Sequence, residues 1–336
     1  MWITSVAWEC PGGYGGLGTV LSRLLPALSA RGKTIHICTE GARRKSHRYS
    51  GALVVPWQET LVDPGNAVGV AEMSVLTEPC VKLALGSDVL VSHDFHSTLC
   101  ALVATVHGVK VVHVYHIQVY SAIDATLAST SAKLVANSRK VADAIEQAVG
   151  RRPEVVYFPP PYSVVPRRSP FKRRTRILVF LRYQDFKDPA WAFKTLSDLY
   201  NRGARFTVKV AGKGTEVLKN RLSYPWLEVV GTVDEKTKVK LMMESDLLLY
   251  PARMEPYGLV PLESIALGTP ALVSNGCGVS EVLSAGVFDL EKPGDLEEHL
   301  KSLLGSPEEL KRLLEEQRSS PVFSKRWIDA ADELLR

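Results

Sequence analysis

The sequence predicts an α/β protein with two Rossmann-like parallel-sheet domains that face each other across a cleft. Short apolar runs alternate with amphipathic runs along the whole chain, as in parallel sheets covered by helices. A length of 336 residues exceeds one typical core. Prolines crowd the stretch 158–170, where neither sheet nor helix can continue. We therefore expect an N-terminal domain at 1–165, a C-terminal domain at 171–320, and a last segment, 321–336, that packs back on the N-terminal domain.

Strands are predicted where apolar runs are bounded by turn residues. In the first domain they are 3–8, 34–39, 52–57, 88–92, 110–115, 133–136 and 154–158. In the second they are 176–181, 206–211, 227–233, 246–250, 270–274 and 287–290. The best-marked helices are 20–30, 139–149, 259–267, one capped by Ser306 with Pro307 and Glu309 behind it, and 322–335.

The composition is that of an ordinary globular protein, with 46% hydrophobic and 23% charged residues. The net charge of +5 arises from 41 basic and 36 acidic residues. Basic residues cluster around the proline-rich stretch, which indicates a solvated linker, with contact to a membrane surface as the weaker alternative. No aromatic residues alternate with them, so we expect no nucleic-acid partner.

Five cysteines, an odd number, stand far apart without a Cys-x-x-Cys pair. This pattern favours a reducing compartment and argues against a zinc site. Neither a signal peptide nor an apolar run of about 18 residues is evident, so we expect a cytoplasmic protein. Asn and Gln together number ten, a weak indication of a heat-adapted source.

Two glutamates, Glu255 and Glu263, bracket a Pro-Tyr-Gly turn. The apolar run 247–250 before it predicts a buried parallel strand, and the pattern at 259–267 predicts a helix. Ligands of open α/β sheets bind at such strand ends, and free N–H groups at a helix start favour anions. The two acids therefore suit a ligand with a phosphate at one end and hydroxyls at the other, such as a nucleotide-sugar. Taken singly, a capping and a solvated glutamate would be the alternative.

A glycine-rich loop follows the first predicted strand, with glycines at 13, 15, 16 and 18. It fits the letters of G-x-G-x-x-G, and Glu40 follows the second strand, so an NAD-dependent oxidoreductase is one candidate. In that motif the first glycine directly follows the strand, whereas here residues 9–12 intervene. The other interpretation is a loop that closely approaches a ligand and offers it the amides of Gly15 and Gly16.

Polar residues also follow two neighbouring strands of the first domain. His93, Asp94 and His96 come after 88–92, and His113 and His116 lie in and just after 110–115. Strand positions three apart face opposite sides, so neither His-x-x-His pair is arranged for a metal. Convergence at one sheet edge still raises the expectation of a site.

In the second domain, two cations follow the first strand. Arg182 and Lys187 could both reach the cleft, where a diphosphate leaving group needs charge-assisted hydrogen bonds. An exposed loop pair is the alternative for these two residues. The loop 212–214, which contains Gly212, lies at the same sheet edge.

Taken together, the motifs resemble those of the retaining GT-B glycosyltransferases of the glycogen/starch synthase and sucrose synthase kind, the glycosyl transferases group 1. The matching segments, in chain order, are 15–18, 92–96, 114–118, the Arg182 and Lys187 pair, 255–263, and 275–278 with Glu281. Gly13 and Thr232 depart from the pattern of bacterial glycogen synthases, which have a lysine and often an aromatic residue there. These departures leave the donor and acceptor open.

The resemblance implies a role for each matching residue. His116 would line the donor-sugar side, Glu255 would hold the sugar hydroxyls and Glu263 the ribose. Arg182 and Lys187 would stabilise the departing nucleotide diphosphate. Further donor-binding residues would be Gly15, Gly16, Gly18, Gly212, Tyr257, Gly258, Leu259 and Val260.

The implied activity is retaining, metal-independent hexosyl transfer, with glucose as the best candidate sugar. The donor would be an ADP-, UDP- or GDP-hexose, and no other cofactor is implied. The first candidate acceptor is an α-glucan, and a small molecule, a lipid or another glycan is the alternative. A UDP-sugar epimerase and an inactive sugar-binding paralogue are rival interpretations from other functional classes.

Overall fold

The computed structural model describes residues 1–7, 9, 11, 15–38, 47–56, 81–184, 187 and 189–336. The chain divides into two compact units. Unit 1 is Met1–Pro159 with Lys325–Arg336, and unit 2 is Pro160–Ser324. Each contains its own largely parallel sheet with helices between the strands, which confirms the predicted α/β class.

Unit 1 has an eight-stranded sheet. Its strands are β1 Trp2–Ala7, β2 Lys33–Cys38, β3 His47–Tyr49, β4 Ala52–Pro56, β5 Val89–His93, β6 Lys110–Tyr115, β7 Lys133–Ala136 and β8 Glu154–Val155. Its helices are α1 Gly16–Ser29, α2 Thr98–Val106, α3 Ala122–Ala128, α4 Arg139–Val149 and, from the end of the chain, α10 Trp327–Leu335.

Unit 2 has a six-stranded sheet. Its strands are β9 Thr175–Phe180, β10 Phe206–Ala211, β11 Leu227–Gly231, β12 Leu247–Tyr250, β13 Ala271–Ser274 and β14 Val287–Phe288. Its helices are α5 Ala190–Asn201, α6 Glu235–Glu244, α7 Leu259–Ala266, α8 Asp295–Leu303 and α9 Pro307–Arg318.

The strand order of each sheet reverses at one point. The order in unit 2 is β11-β10-β9-β12-β13-β14, so the chain turns back between β9 and β12. In unit 1 the order is β3-β4-β2-β1-β5-β6-β7-β8, with the reversal between β1 and β5. Doubly wound sheets open a crevice beyond the carboxyl ends of the strands at this point. The topology therefore marks one candidate binding edge in each unit.

Several elements of the structure differ from the prediction. Strand β3 was not predicted, because a short antiparallel edge strand leaves no βα rhythm. Strand β8 ends at Val155 rather than at 158, because the chain leaves the sheet before the prolines. The last helix begins at Trp327 rather than at 322, because the Asp329 carboxylate accepts the N–H of Arg326 and caps the helix there.

The C-terminal helix α10 lies in unit 1. Arg31 forms a two-pronged ion pair with Asp332, with Nε–Oδ1 at 2.5 Å and Nη2–Oδ2 at 2.6 Å. Lys133 donates to the carbonyl of Glu333 at 2.7 Å, and Trp327 stacks on Phe158. Polar and aromatic contacts together hold the end of the chain against this unit.

Cys100 is disulfide-bonded, which the expectation of a reducing compartment did not anticipate. Within the described ranges, no helix combines the length and apolar character needed to cross a membrane.

A buried carboxylate fixes the start of the two central strands of unit 2. Asp246, directly before β12, is fully buried and pairs with Arg167 at 2.8 Å and with Arg176 Nε at 2.9 Å. It also accepts the backbone N–H of Arg176, and its own N–H donates to the carbonyl of Arg176. These bonds fix the register of β12 against β9, and hence the two loops that follow them.

Replacing Asp246 by alanine should destabilise unit 2 by about 3–5 kcal/mol, because the Arg167 guanidinium would be left buried without its counter-charge. Urea unfolding of the two variants and the wild type measures this. Glu244→Ala is the control, since its pair with Lys240 is exposed and should contribute less than about 1 kcal/mol. Equal midpoints for the two variants would contradict a structural role for Asp246.

Candidate functional site

Two of the predicted site residues, a cation and an acid, meet at the switch point of unit 2. Nζ of Lys187, beyond the end of β9, lies 2.6 Å from Oε2 of Glu255, in the turn after β12. Both side chains are mostly buried, at 13% and 14% exposure. The contact joins the two loops that follow the switch-point strands, so the structure brings these two predicted residues together.

A third side chain, which the sequence did not single out, completes this cluster. The hydroxyl of Tyr250, the last residue of β12, donates to the same Oε2 of Glu255 at 2.7 Å. Burial, together with the nearby Glu255 charge, raises the pKa of Tyr250 well above its usual range. The phenol therefore stays protonated and holds Glu255 in one orientation. We refer to Lys187, Tyr250 and Glu255 as the acid cluster.

The turn that carries Glu255 is held by its backbone. Glu255 pairs with Cys277 as an isolated parallel bridge, and Gly278 donates its N–H to the carbonyl of Glu255 at 2.9 Å. Tyr257 is buried, and its carbonyl accepts the N–H of Val279 at 2.6 Å. The segment 275–279 is thus the support for this turn.

Gly258 is required where the turn enters helix α7. Its φ is +95°, a left-handed backbone conformation that residues other than glycine rarely adopt. A Cβ there would lie 3.2 Å from Cγ of Glu255 and 3.4 Å from Cγ1 of Val279. Glycine therefore allows the helix start to approach the glutamate closely.

Helix α7 begins without a side-chain cap. Its first two residues, Leu259 and Val260, carry amides with no partner inside the helix, and the third, Pro261, has no N–H. The positive end of the helix dipole thus presents two amide donors directly after the acid cluster. This is a suitable place for an anion such as a phosphate.

Glu263 lies further along the same helix. It is only 2% exposed, and Oε2 lies 3.1 Å from Nζ of Lys238 on α6. The sequence predicted Glu263 but gave no sign that a lysine faces it.

Arg182 and Gly212 lie at the same edge of the unit 2 sheet. Arg182 is exposed and has no hydrogen bond or ion pair within the part of the chain that the structure describes. A Cβ on Gly212, whose φ is +121°, would lie 2.0 Å from the carbonyl oxygen of Leu181. Gly212 therefore lets the loop after β10 pack on the end of β9. The structure pairs Lys187, but not Arg182, with Glu255.

In unit 1, Gly15 and Gly18 of the glycine-rich loop lie next to the carboxylate of Glu9. Glu9 Oε2 accepts the N–H of Gly18 at 2.5 Å, at the start of α1. A Cβ on Gly15 would lie 2.0 Å from Glu9 Oε1, whereas Gly16 has open space. The amides predicted to face a ligand are those of Gly15 and Gly16, whereas the amide bonded to Glu9 is that of Gly18. Gly13 and Glu40, weighed as parts of a dinucleotide motif, lie outside the described residues.

His116 is buried at the end of β6 in unit 1. Its Nε2 lies 2.9 Å from Nδ1 of His93, and its ring stacks on Phe158. Burial, followed by the charge of His113, lowers the pKa of His116 to about 3. At neutral pH His116 is thus an uncharged imidazole that can exchange hydrogen bonds. Among the described residues no group of three or more His, Cys, Asp and Glu side chains is arranged to hold a metal ion.

Asp94 has an unusual backbone conformation. Its φ of +56° is left-handed although it is not glycine, and its Oδ1 accepts the N–H of His116 at 2.6 Å. Burial raises the pKa of Asp94 to about 7, although backbone N–H groups partly offset this. Strained, perturbed residues of this kind cluster at functional sites. Sequence reasoning noted Asp94 in a motif but gave it no role.

Comparison with known protein families identifies both units. The family described as "Glycosyl transferases group 1" matches residues 167–320, and the family "Glycosyltransferase Family 4" matches residues 14–162. The two models together span most of the chain, so the protein is a glycosyltransferase, and residues 167–320 belong to group 1. Family membership confirms the resemblance, and it decides against the oxidoreductase suggested by the glycine letters.

Solved structures show that this glycosyltransferase has the GT-B fold. Sucrose-phosphate synthase from Thermosynechococcus elongatus aligns with TM-score 0.70 and 13% identity, covering 99% of this chain and 97% of that chain. The catalytic domain of starch synthase IV from Arabidopsis thaliana aligns with TM-score 0.69 and 12% identity, covering 100% and 99%.

The curated relatives match only a part of this chain. A GDP-mannose-dependent α-(1-6)-phosphatidylinositol dimannoside mannosyltransferase of Mycobacterium tuberculosis is 27% identical over 145 residues, which are 42% of this chain and 37% of that protein. A glycogen synthase of the same species is 33% identical over 87 residues, 24% of this chain and 21% of that protein. The matched segments span well under half the length of these relatives.

The buried histidines of the glycosyltransferase predict that unit 1 loses stability in mild acid. Burial lowers the pKa of His36, His96 and His113 to about 4, and that of His93 well below its usual value. The folded chain leaves these rings neutral, whereas the unfolded chain protonates them below about 6.5, so the unfolded state binds more protons. The free energy of unfolding of unit 1 should therefore decrease as the pH is lowered from 6.5 to about 4.

Asp94 acts in the opposite direction, because its raised pKa favours the folded state as pH falls from about 7 towards 4. The Asp94→Asn variant lacks this carboxyl group, so its free energy of unfolding should fall more steeply as the pH decreases. Hydrogen exchange, corrected for intrinsic rates, measures protection of α4 and β6, with peptides of unit 2 as the internal reference. Protection in unit 1 that is constant or rises from pH 6.5 to 4.5 would contradict the pKa assignments.

Proposed function

We propose that this glycosyltransferase transfers a hexose, with glucose as the first candidate, from a nucleotide-sugar to an acceptor hydroxyl with retention of anomeric configuration. The observation that carries the proposal is the acid cluster beside the uncapped start of α7. The cation and the carboxylate are in direct contact there, and the helix begins four residues after the carboxylate, at the sheet edge where doubly wound folds bind ligands.

Unit 2 would bind the donor through its phosphates. The amides of Leu259 and Val260 would donate to one phosphate at the start of α7. Lys187, and the exposed Arg182 from the same loop, would approach the other phosphate. Gly212, Tyr257 and Gly258 would contribute by leaving room for the ligand and by fixing the turn. The two cations and the helix dipole would neutralise the diphosphate, so the proposal requires no metal ion.

Glu255 would hold hydroxyls of the transferred sugar. An ionised carboxylate accepts hydrogen bonds, and Lys187 with Tyr250 fixes its direction. Glu263 would accept from the ribose of the nucleotide. In unit 1, His116 would offer its neutral imidazole to the donor sugar, and the loop with Gly15, Gly16 and Gly18 would contribute backbone close to the substrate.

In the chemical step, the bond between the anomeric carbon and the diphosphate oxygen breaks while the acceptor oxygen attacks from the same face. The proton of the acceptor hydroxyl passes to the departing diphosphate, so no protein nucleophile is needed. Negative charge grows on the leaving oxygen, which is where Arg182 and Lys187 act. Their interaction is stronger in the transition state than in the bound donor, as catalysis requires.

The partial matches to curated relatives favour two different acceptors. The partial match to a glycogen synthase favours an α-glucan and an ADP- or UDP-glucose donor. The match to a phosphatidylinositol dimannoside mannosyltransferase favours a GDP-mannose donor and a lipid-linked acceptor. A cytoplasmic location and the absence of a nucleic-acid partner belong to the same proposal. Contact with a membrane surface would accompany the second acceptor.

A donor panel tests the function directly. ADP-, UDP- and GDP-hexoses are each incubated with the protein, with and without an α-glucan, and the released nucleotide and the anomeric configuration of the product are measured. We expect one donor to release nucleotide faster with the glucan, and the product to keep the donor's configuration. An inverted product would contradict retention, and isomerisation of a UDP-sugar without transfer would favour the epimerase.

Arg182→Ala and Lys187→Ala should each reduce turnover by roughly a hundredfold, the effect of removing one donor that stabilises transition-state charge. Arg182→Ala should leave the melting temperature unchanged because its side chain is exposed. The control is Lys209→Ala, which removes a lysine that pairs with Glu228 on the surface of the same unit. Turnover near that of the control in both variants would remove the two cations from the mechanism.

Glu255→Gln should lower turnover at least as strongly as loss of a cation, by roughly a hundredfold or more, because a neutral amide holds sugar hydroxyls and Lys187 less well. The melting temperature should fall less than in the Asp246 variant. Glu228→Gln is the matched control, and both are compared by initial rates and thermal unfolding. A loss of stability as large as the loss of activity would make Glu255 a structural residue.

A further inference from the structure

Helix α6 buries a lysine where an apolar residue is expected. Its buried stripe consists of Lys238, Leu241 and Met242, which are spaced three and four apart on one helix face. Such a stripe normally packs an apolar surface onto the sheet. Lysine is almost never buried unless it is paired, so this position breaks the local pattern.

The ammonium of Lys238 is enclosed by three side chains of unit 2. Nζ lies 3.1 Å from Oε2 of Glu263, 3.0 Å from Oε1 of Glu235, and 5.7 Å from the ring centroid of Tyr162. The hydroxyl of Tyr162 in turn donates to Glu235. The Glu263 side chain is 3% exposed and that of Glu235 is 67% exposed. The lysine thus joins an inner carboxylate to an outer one.

The carboxylates around Lys238 favour its charged form. Burial lowers the pKa of Lys238, but the carboxylates of Glu263 and Glu235 outweigh it and raise the pKa above the ordinary value. The ammonium is thus a positive charge 3.1 Å from Oε2 of Glu263. A neighbouring cation favours the ionised form of a carboxylate, which only accepts hydrogen bonds.

Fold stability alone does not account for this arrangement. Replacing a buried ion pair by well-packed apolar residues is often neutral or stabilising. An apolar residue at position 238 could not hold the Glu263 carboxylate in one direction, whereas the ammonium of Lys238 does. That carboxylate lies four residues beyond Leu259, or about 6 Å along α7, on the helix whose first amides face the proposed phosphate.

We propose that Lys238 is a positioning residue for the nucleoside end of the donor site. It holds the Glu263 carboxylate in the orientation in which it accepts hydrogen bonds from the ribose hydroxyls of a nucleoside diphosphate. Glu235 and Tyr162 keep the lysine in place from the outer side. This inference rests on the proposed function and adds the residue on which recognition of the ribose depends.

Calorimetric binding of ADP, GDP and UDP, of their 2′-deoxy forms, and of pyrophosphate tests the inference. The wild type should bind the preferred ribonucleotide about tenfold or more tightly than its 2′-deoxy form, the effect of one charge-assisted hydrogen bond. In Lys238→Met this ratio should approach one, while pyrophosphate binding stays unchanged. Lys238→Arg should restore most of the ratio, and Glu235→Gln should change it by less than about threefold.

The loss of ribose binding should also appear in catalysis, as a higher KM for the donor. With the donor found by the panel, Lys238→Met should raise KM about tenfold or more with kcat nearly constant, because binding of the ribose is equal in the ground and transition states. If the Met variant does not fold, Lys238→Gln, which keeps a polar side chain without the charge, decides the same question.

Four outcomes would overturn the inference. A folded Lys238→Met or Lys238→Gln that keeps the ribose preference would make the lysine a packing residue. Equal losses of pyrophosphate and nucleotide binding would indicate general damage to the unit. A wild type that binds nucleoside diphosphates without a ribose preference would overturn this inference alone, whereas one that binds none of the three would overturn the proposed function as well.

Discussion

The ion pair between Lys187 and Glu255 is the interaction on which the candidate site depends. It connects the segment after β9 with the turn after β12, the two strands at which the sheet order of unit 2 reverses. Its side chains are mostly buried, so solvent screens the attraction less than at an exposed surface. Tyr250 donates to the same oxygen and limits the directions in which the carboxylate can turn.

The two glutamates that flank the helix start share one design. Glu255 precedes α7 and is held by Lys187, and Glu263 lies within α7 and faces Lys238 on α6. In each case a lysine from another element contacts a mostly buried carboxylate and holds it in one orientation. Hydroxyl-rich parts of a ligand could thus be bound on either side of the amides of Leu259 and Val260. A nucleotide-sugar has the same order of parts, because its phosphates lie between two hydroxyl-rich sugars.

The sequence predicted what depends on local pattern. Apolar runs located β6 and β10, and Ser306 caps α9 through the N–H of Glu309 as expected. The strand–turn–helix around Glu255 was also predicted, because its residues are consecutive. Contacts between distant residues were not predicted: the Glu9 carboxylate at the start of α1 and Lys238 beside Glu263 depend on tertiary packing. The strained backbone of Asp94 has no signature in composition or spacing.

We expect a nucleoside diphosphate to bind at the start of α7, beside the acid cluster. Diffraction from crystals grown with the nucleoside diphosphate that the protein prefers measures this directly. The account predicts phosphate oxygens at hydrogen-bonding distance, about 2.7–3.2 Å, from the amide nitrogens of Leu259 and Val260, with Nζ of Lys187 on the same diphosphate. A diphosphate bound elsewhere, with the Lys187 and Glu255 pair unchanged and the helix start in contact with water alone, would contradict it.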